Sequence, residues 1–287
     1  MTVAHAVPCG AGAWLKKRGE YYLKLSGSYL YSTERYNADG DRIPLASEDA
    51  NTIGAAFRDI SITAYFEYGM SERVTLVASL PYKILTNWST EFSSQFNLIR
   101  EVEAVNGGVT DLRVGVRLPL KTESFPVSFE SLVKLPLGYD PAPEQTQLAP
   151  LGSGKVDFDV NLLAGMSLWP FPGYLNGRAG FRFRGGGLDD EILASLEAGA
   201  SYRKWFSKVA LDALYTTGDL TDADPTRTVT NENNLKLMGE VNYNINSRIA
   251  FSLEAFHVLR GANTVAGTTW VAGVIMQQRV EDERPLR

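Results

Sequence analysis

Side chains able to bind charge recur along this chain at even spacings. Arg178, Arg182 and Arg184 form one run, Asp157 and Asp159 another, and Arg113 with Arg117 and Glu130 with Lys134 two more; Glu197 and Asp212 stand in the runs that follow. An extended chain turns successive side chains to opposite faces, so each run shares one face of its strand. Two kinds of chemistry fit. Opposite charges on neighbouring strands can pair across a sheet and neutralise one another. Alternatively, the same face lines a path and selects solutes, and the arginine row would attract a carboxylate or phenolate, because guanidinium grips planar carboxylates with two parallel bonds. Hydrolysis is poorly provided for. His5 and His257 are the only histidines and Cys9 the only cysteine. Ser252 stands near His257, but no spacing of nucleophile, base and orienting group surrounds the pair. No catalytic residue, metal site or cofactor is therefore expected.

The elements that must carry these residues are strands. From Tyr21 to Tyr31 the odd positions are apolar or Gly and the even ones mostly polar, the pattern of a strand with one greasy and one wet side. Twelve such segments are expected, over 20–31, 58–68, 74–82, 111–120, 127–137, 156–169, 174–184, 192–202, 209–215, 235–243, 249–256 and 268–277. Short turns follow the even-numbered segments and longer loops mostly follow the odd ones. An outer-membrane barrel sorts its loops in this way, whereas a sandwich has no reason to. Aromatics gather at both ends. Tyr21, Tyr68, Trp169, Tyr174, Tyr202 and Tyr243 fall at the short-turn ends, and Tyr31, Phe57, Tyr82, Phe158, Phe183, Tyr215 and Trp270 at or near the long-loop ends, as two membrane interfaces would select. The fold class expected is all-β: a twelve-stranded antiparallel transmembrane up-and-down barrel, apolar outside and charged inside.

Composition narrows the rest. The chain has 287 residues, a net charge of -5 and no basic block, which argues against nucleic acid as a partner. No apolar run approaches the roughly 18 residues of a membrane-spanning helix, so any crossing must be by a closed barrel. Residues 1–19 read as an N-terminal segment with a signal-peptide remnant, Ala4-His5-Ala6 having the small-x-small form of a cleavage site; Pro8 is the wrong neighbour for lipidation at Cys9. Residues 20–279 form the barrel and 280–287 a polar tail. Within the long loop 91–105, Phe92, Phe96, Ile99 and Val102 are spaced as on an amphipathic helix, closed by Asn106-Gly107-Gly108. Such a helix would either gate the barrel mouth or pack on its rim.

Several segments carry a family likeness. They are Gly10-Ala11-Gly12-Ala13-Trp14; Tyr21 to Tyr31 followed by Tyr36-Asn37-Ala38-Asp39-Gly40-Asp41-Arg42-Ile43-Pro44-Leu45; Glu67-Tyr68-Gly69-Met70-Ser71-Glu72-Arg73 with Leu80-Pro81-Tyr82; and Gly108-Val109-Thr110-Asp111-Leu112-Arg113-Val114-Gly115. In this order they resemble the bacterial outer-membrane family named for the meta-pathway of phenol degradation. The resemblance implies a transport barrel, in some cases encoded near aromatic-degradation genes. The ending on Arg287, rather than on the terminal Phe of many outer-membrane barrels, departs from that pattern. The function expected is passive diffusion of small solutes, aromatic or modestly hydrophobic ones by the resemblance alone; the alternative is a filled structural or surface-interaction barrel. The partners expected are outer-membrane lipid and a small-molecule solute, with the chain acting as a monomer.

Overall fold

The computed structural model describes residues 12–48, 52–93, 98–122, 125–142, 148–221 and 230–278. Its strands, in chain order, are β1 (Tyr21–Ser32), β2 (Glu34–Tyr36), β3 (Arg42–Pro44), β4 (Thr52–Ser71), β5 (Val74–Ser93), β6 (Leu98–Val109), β7 (Asp111–Lys121), β8 (Val127–Pro136), β9 (Asp157–Ser167), β10 (Gly173–Arg184), β11 (Glu191–Tyr202), β12 (Trp205–Thr216), β13 (Asn233–Asn244), β14 (Ile249–Ala262), β15 (Thr264–Val265) and β16 (Thr268–Gln278). Twelve of these, β1, β4, β5, β7 to β14 and β16, close into an antiparallel barrel. β1 pairs with β4 on one side and β16 on the other, and β4 pairs with β5, so the ring has no free edge. Each of the twelve expected segments lies on one of these strands. The small strands β2, β3 and β15 form a separate sheet at the long-loop end, where Tyr36 is buried and its hydroxyl donates to the Val258 carbonyl at 3.3 Å.

Alternation decides what each face meets. Leu25, Ile62, Leu162, Leu196, Leu211, Val241 and Leu253 are exposed on the outer wall, Leu196 at 69%. Aromatic side chains flank this apolar belt: Tyr68, Trp169, Tyr202, Trp205 and Tyr243 toward the short turns, and Tyr29, Tyr31, Tyr82, Phe158, Phe183, Tyr215 and Trp270 toward the long loops. This is the surface of a barrel that spans a lipid bilayer. Two of the expected belt residues face inward instead. Tyr174 is completely buried in the lumen, and Phe57 sits opposite the buried, inward Ser32. His257 and Val258 keep the alternation, outward and inward; the irregularity falls one residue later, where the register between β13 and β14 shifts at Leu235/Lys236 and Leu259 is passed over.

The expected helix over 91–105 does not form. β4 and β5 are 20 residues long, and β5 pairs with β7 near its start and with β6 beyond it. β6 continues the line of β7 past Thr110, so β4, β5 and β6 rise together above the barrel as a three-stranded flap. Phe92 lies on β5 and faces Ile99 on β6, and Val102 faces Ser89; Phe96 falls outside the described residues. An isolated short helix is marginal in water, whereas the edge of β5, with Ile84, Thr86, Trp88 and Thr90 in sequence, offers a β-favouring template that the returning chain extends.

Leu196, near the middle of β11 and exposed to lipid, provides a test of the orientation. Leu196→Arg is expected to destabilise the barrel by about 2–4 kcal/mol in equilibrium unfolding from vesicles, and Leu196→Ala far less.

Candidate functional site

The inward face contains two features a solute would meet: a floor and a stack of charged rows. The floor is built by the chain before β1. The ring order puts β10 directly opposite β1, with five strands between them in either direction. Residues 12–20 cross that full width at the short-turn end. The Ala13 amide donates to Asn176 Oδ1 on β10 at 3.3 Å, Ser128 Oγ on β8 donates to the Ala13 carbonyl at 2.5 Å, and the Lys16 amide donates to Thr75 Oγ1 on β5 at 2.9 Å. Trp14 packs edge-on against Tyr174, with ring centroids 5.7 Å apart, and Tyr174 stacks on Phe206 at 6.2 Å. A Cβ at Gly165 would come within 2.6 Å of the Trp14 ring, so the close seating of that indole depends on glycine. On the other side Tyr22 meets Tyr65, with the Lys16 ammonium 5.3 Å from the Tyr22 centroid. The floor is therefore an aromatic layer tied together by a backbone strap.

Above and beside it the charges fall into three clusters. In the first, Arg117 is 1% exposed and lies between Glu67 at 3.2 Å and Glu130 at 2.7 Å. Lys16 adds a contact to Glu67 at 3.5 Å, and the Tyr65 hydroxyl donates to the same carboxylate at 2.6 Å. In the second, Lys134 holds Asp157 at 2.6 Å and Asp111 at 3.5 Å, and Arg113 reaches Asp159 at 3.1 Å. Arg182 spans Asp159 at 2.6 Å and Glu191 at 2.7 Å, and Arg184 meets Glu191 at 2.8 Å. In the third, Lys24 lies between Glu240 at 3.0 Å and Glu254 at 2.8 Å, and Lys208 between Glu197 at 3.1 Å and Glu240 at 3.3 Å. The Tyr174 hydroxyl donates to Glu197 at 2.5 Å, joining this cluster to the floor. Arg178 and Asp212 stand apart at 3.6 Å and border a cavity of about 130 Å³.

The long-loop end is partly roofed. Leu151, in the loop between β8 and β9, is buried, and the Tyr139 hydroxyl donates to Asp111 at 2.5 Å. Burial, reinforced by that hydrogen bond, raises the Tyr139 pKa, so the hydroxyl keeps its proton and remains a donor. Lys134 Nζ donates to Ser153 Oγ at 2.8 Å, tying the same loop to the second cluster. Asn231 and Asn263 lace the remaining loops together. Asn231 Nδ2 donates to Asp189 at 2.6 Å, and Asn263 Nδ2 donates to the carbonyls of Leu220 and Asn231.

All eleven expected lumen residues point inward: Arg113, Arg117, Glu130, Lys134, Asp157, Asp159, Arg178, Arg182, Arg184, Glu197 and Asp212. Nine of them fall into the three clusters by ion pairing, leaving Arg178 with Asp212 as the loosest contact. Glu191 and Lys208 also belong to the clusters. They stand one residue before the expected starts of their strands, and the parity of the strand extended backward by one residue would have placed them inside. Lys16 and Trp14 carried no comparable signal, because the strap is not periodic. Ser252 faces the lumen and His257 the outer side, where its Nδ1 meets Thr268 Oγ1 at 2.8 Å. The two lie on opposite faces of β14 and cannot act together. Among the described residues no cluster of His, Cys, Asp and Glu could hold a metal ion.

Comparison with solved structures places this geometry among outer-membrane barrels. An outer membrane channel from Pseudomonas putida F1 is similar over 91% of this chain and 96% of its own, with a TM-score of 0.64 and 11% identity. The KdgM porin follows at a TM-score of 0.48 and 8% identity, over 88% of this chain and 98% of the porin. The P. putida toluene transporter TodX follows at 0.46 and 7%, over 92% and 91% of the two chains. At 11% identity the first likeness establishes the fold. No protein-family model matches the chain, and no curated protein matches it in sequence.

Arg117 offers a test of the first cluster. Arg117→Met leaves Glu67 and Glu130 buried without their shared cation and is expected to cost about 3–5 kcal/mol in equilibrium unfolding. Adding Glu67→Gln and Glu130→Gln to that variant should recover most of the loss, because the uncompensated charges are then gone.

Proposed function

We propose that this chain is a channel of the bacterial outer membrane, acting as a monomer, that passes small solutes down their gradients through the charged lumen. The observation that carries this reading is the cavity beside Arg178 and Asp212. It lies within an inner wall that is otherwise closely paired, and it marks space at mid-lumen bounded by charged side chains. Side chains at a constriction select what crosses, and a twelve-stranded ring has an interior between the filled core of eight strands and the open bore of sixteen. The solute class proposed is small aromatic or modestly hydrophobic compounds. Two features support it: the resemblance to the phenol meta-pathway family, and the aromatic floor of Trp14, Tyr22, Tyr65, Tyr174 and Phe206, past which such a solute must travel.

The same floor favours a second reading, a barrel filled at the short-turn end that does not conduct. In the channel reading the strap over residues 12–20 shifts aside, and Trp14 is its main anchor. Flap residues Phe92, Ile99 and Val102 contribute at most at the entrance, since the helix that would have carried them across the mouth is absent.

Swelling of proteoliposomes separates the readings. The full chain should admit small neutral solutes slowly, and Trp14→Ala should raise the rate several-fold by loosening the floor. No swelling from either protein, with both folded as judged by heat-modifiable mobility, would establish the filled barrel.

A further inference from the structure

Charge compensation in the lumen is uneven, and the unevenness is local. Arg113, Arg117, Lys134, Arg182, Arg184, Lys24 and Lys208 each contact one or two carboxylates at 3.3 Å or less. Two cations differ. Arg178 reaches only Asp212, at 3.6 Å, and its Nε is buried with no hydrogen-bond partner among the described residues. Lys236 has no carboxylate ion pair among the described residues, and its ammonium lies 5.8 Å from the Phe256 ring centroid. These two cations share one level of the barrel. The cross-strand register runs Arg178, Ser195, Asp212, Lys236 over β10, β11, β12 and β13. One carboxylate therefore stands between two cations, and the row carries an excess of positive charge. The cavity of about 130 Å³ is bordered by Arg178, Ser195 and Asp212 of this row and by Glu197 and Lys208, which already pair with each other at 3.1 Å; Leu163, Ala210 and Met238 supply an apolar part of its lining beside Arg178.

We propose that this cavity is a binding subsite for a small organic carboxylate with a compact hydrocarbon body. The carboxylate takes the exposed part of the Arg178 guanidinium through charge-assisted bonds. Asp212 turns toward Lys236 as the ligand arrives. The hydrocarbon body rests against Leu163, Ala210 and Met238. Arg182, on the same strand face, does not compete for the ligand because Asp159 and Glu191 already hold it. The subsite deepens the channel reading and rests on it for its role in transport, while ligand binding itself does not require conduction.

Titration calorimetry of the refolded full chain in detergent, with benzoate as the probe and benzamide as its neutral counterpart, tests the assignment. Benzoate should bind and benzamide should not. Arg178→Gln should weaken benzoate binding at least about tenfold, the loss expected for a bond to a charged group. Asp212→Asn should tighten it by removing the competing carboxylate, and this second variant keeps the test sound if the first fails to fold. Equal binding of benzamide and benzoate, or unchanged benzoate affinity in folded Arg178→Gln, would overturn the subsite. Benzoate binding without any liposome swelling would leave the subsite standing and overturn the channel; swelling without benzoate binding would do the reverse.

Discussion

The hydrocarbon core of a membrane offers no partner to a backbone amide or carbonyl, and the rest of this molecule follows from that constraint. A sheet in lipid must close, and this one closes through the pairing of β1 with both β4 and β16. Once closed, its two faces meet different solvents. The outer face takes Leu, Ile, Val and aromatic side chains, and the inner face must then accommodate every Lys, Arg, Asp and Glu that strand parity directs inward. Strands one to three places apart in the ring bring opposite charges together, so most of those charges meet a partner. Buried ion pairs are weak evidence for net stability, because desolvation offsets much of the attraction. What they do here is assign positions. Arg117 between two glutamates, or Lys208 between Glu197 and Glu240, has one arrangement available to it.

Against that background, an incompletely paired residue is informative. Arg178 and Arg182 are four residues apart on one strand face, yet Arg182 is held by two carboxylates and Arg178 by one long contact. The difference comes from the neighbouring strands. Arg182 has Asp159 and Glu191 directly across, whereas Arg178 has Leu163 and Ser195. The functional asymmetry of the lumen is therefore a consequence of register.

Much of this was legible in the sequence. Period-two alternation, loop lengths sorted by parity and even spacing of charges pointed to a closed barrel and to an inward set of charges, and the adjacent pairs Arg117 with Glu130 and Arg182 with Asp159 follow from strand order alone. What was not legible involves contacts without a period. The strap over 12–20 is irregular chain whose placement depends on Gly165, Tyr174 and Asn176, more than 140 residues away along the sequence. The flap is not legible because the spacing of Phe92, Phe96, Ile99 and Val102 fits a helix face, while Phe92 and Ile99 are cross-strand partners. Tyr174 had the position of a belt residue, but its parity turned it inward to seat Trp14.

The central claim is that solutes move along the charged inner face, and neighbouring residues on β12 test it directly. Leu211 is exposed on the outer wall and Asp212 borders the inner cavity. Single-channel currents would be recorded across planar bilayers from Leu211→Cys and Asp212→Cys, each with Cys9→Ser, while a charged, membrane-impermeant thiol reagent is added. The account predicts discrete currents that change in step when residue 212 is modified and stay constant for residue 211. An absence of currents from folded protein, or an identical response at both positions, would contradict it.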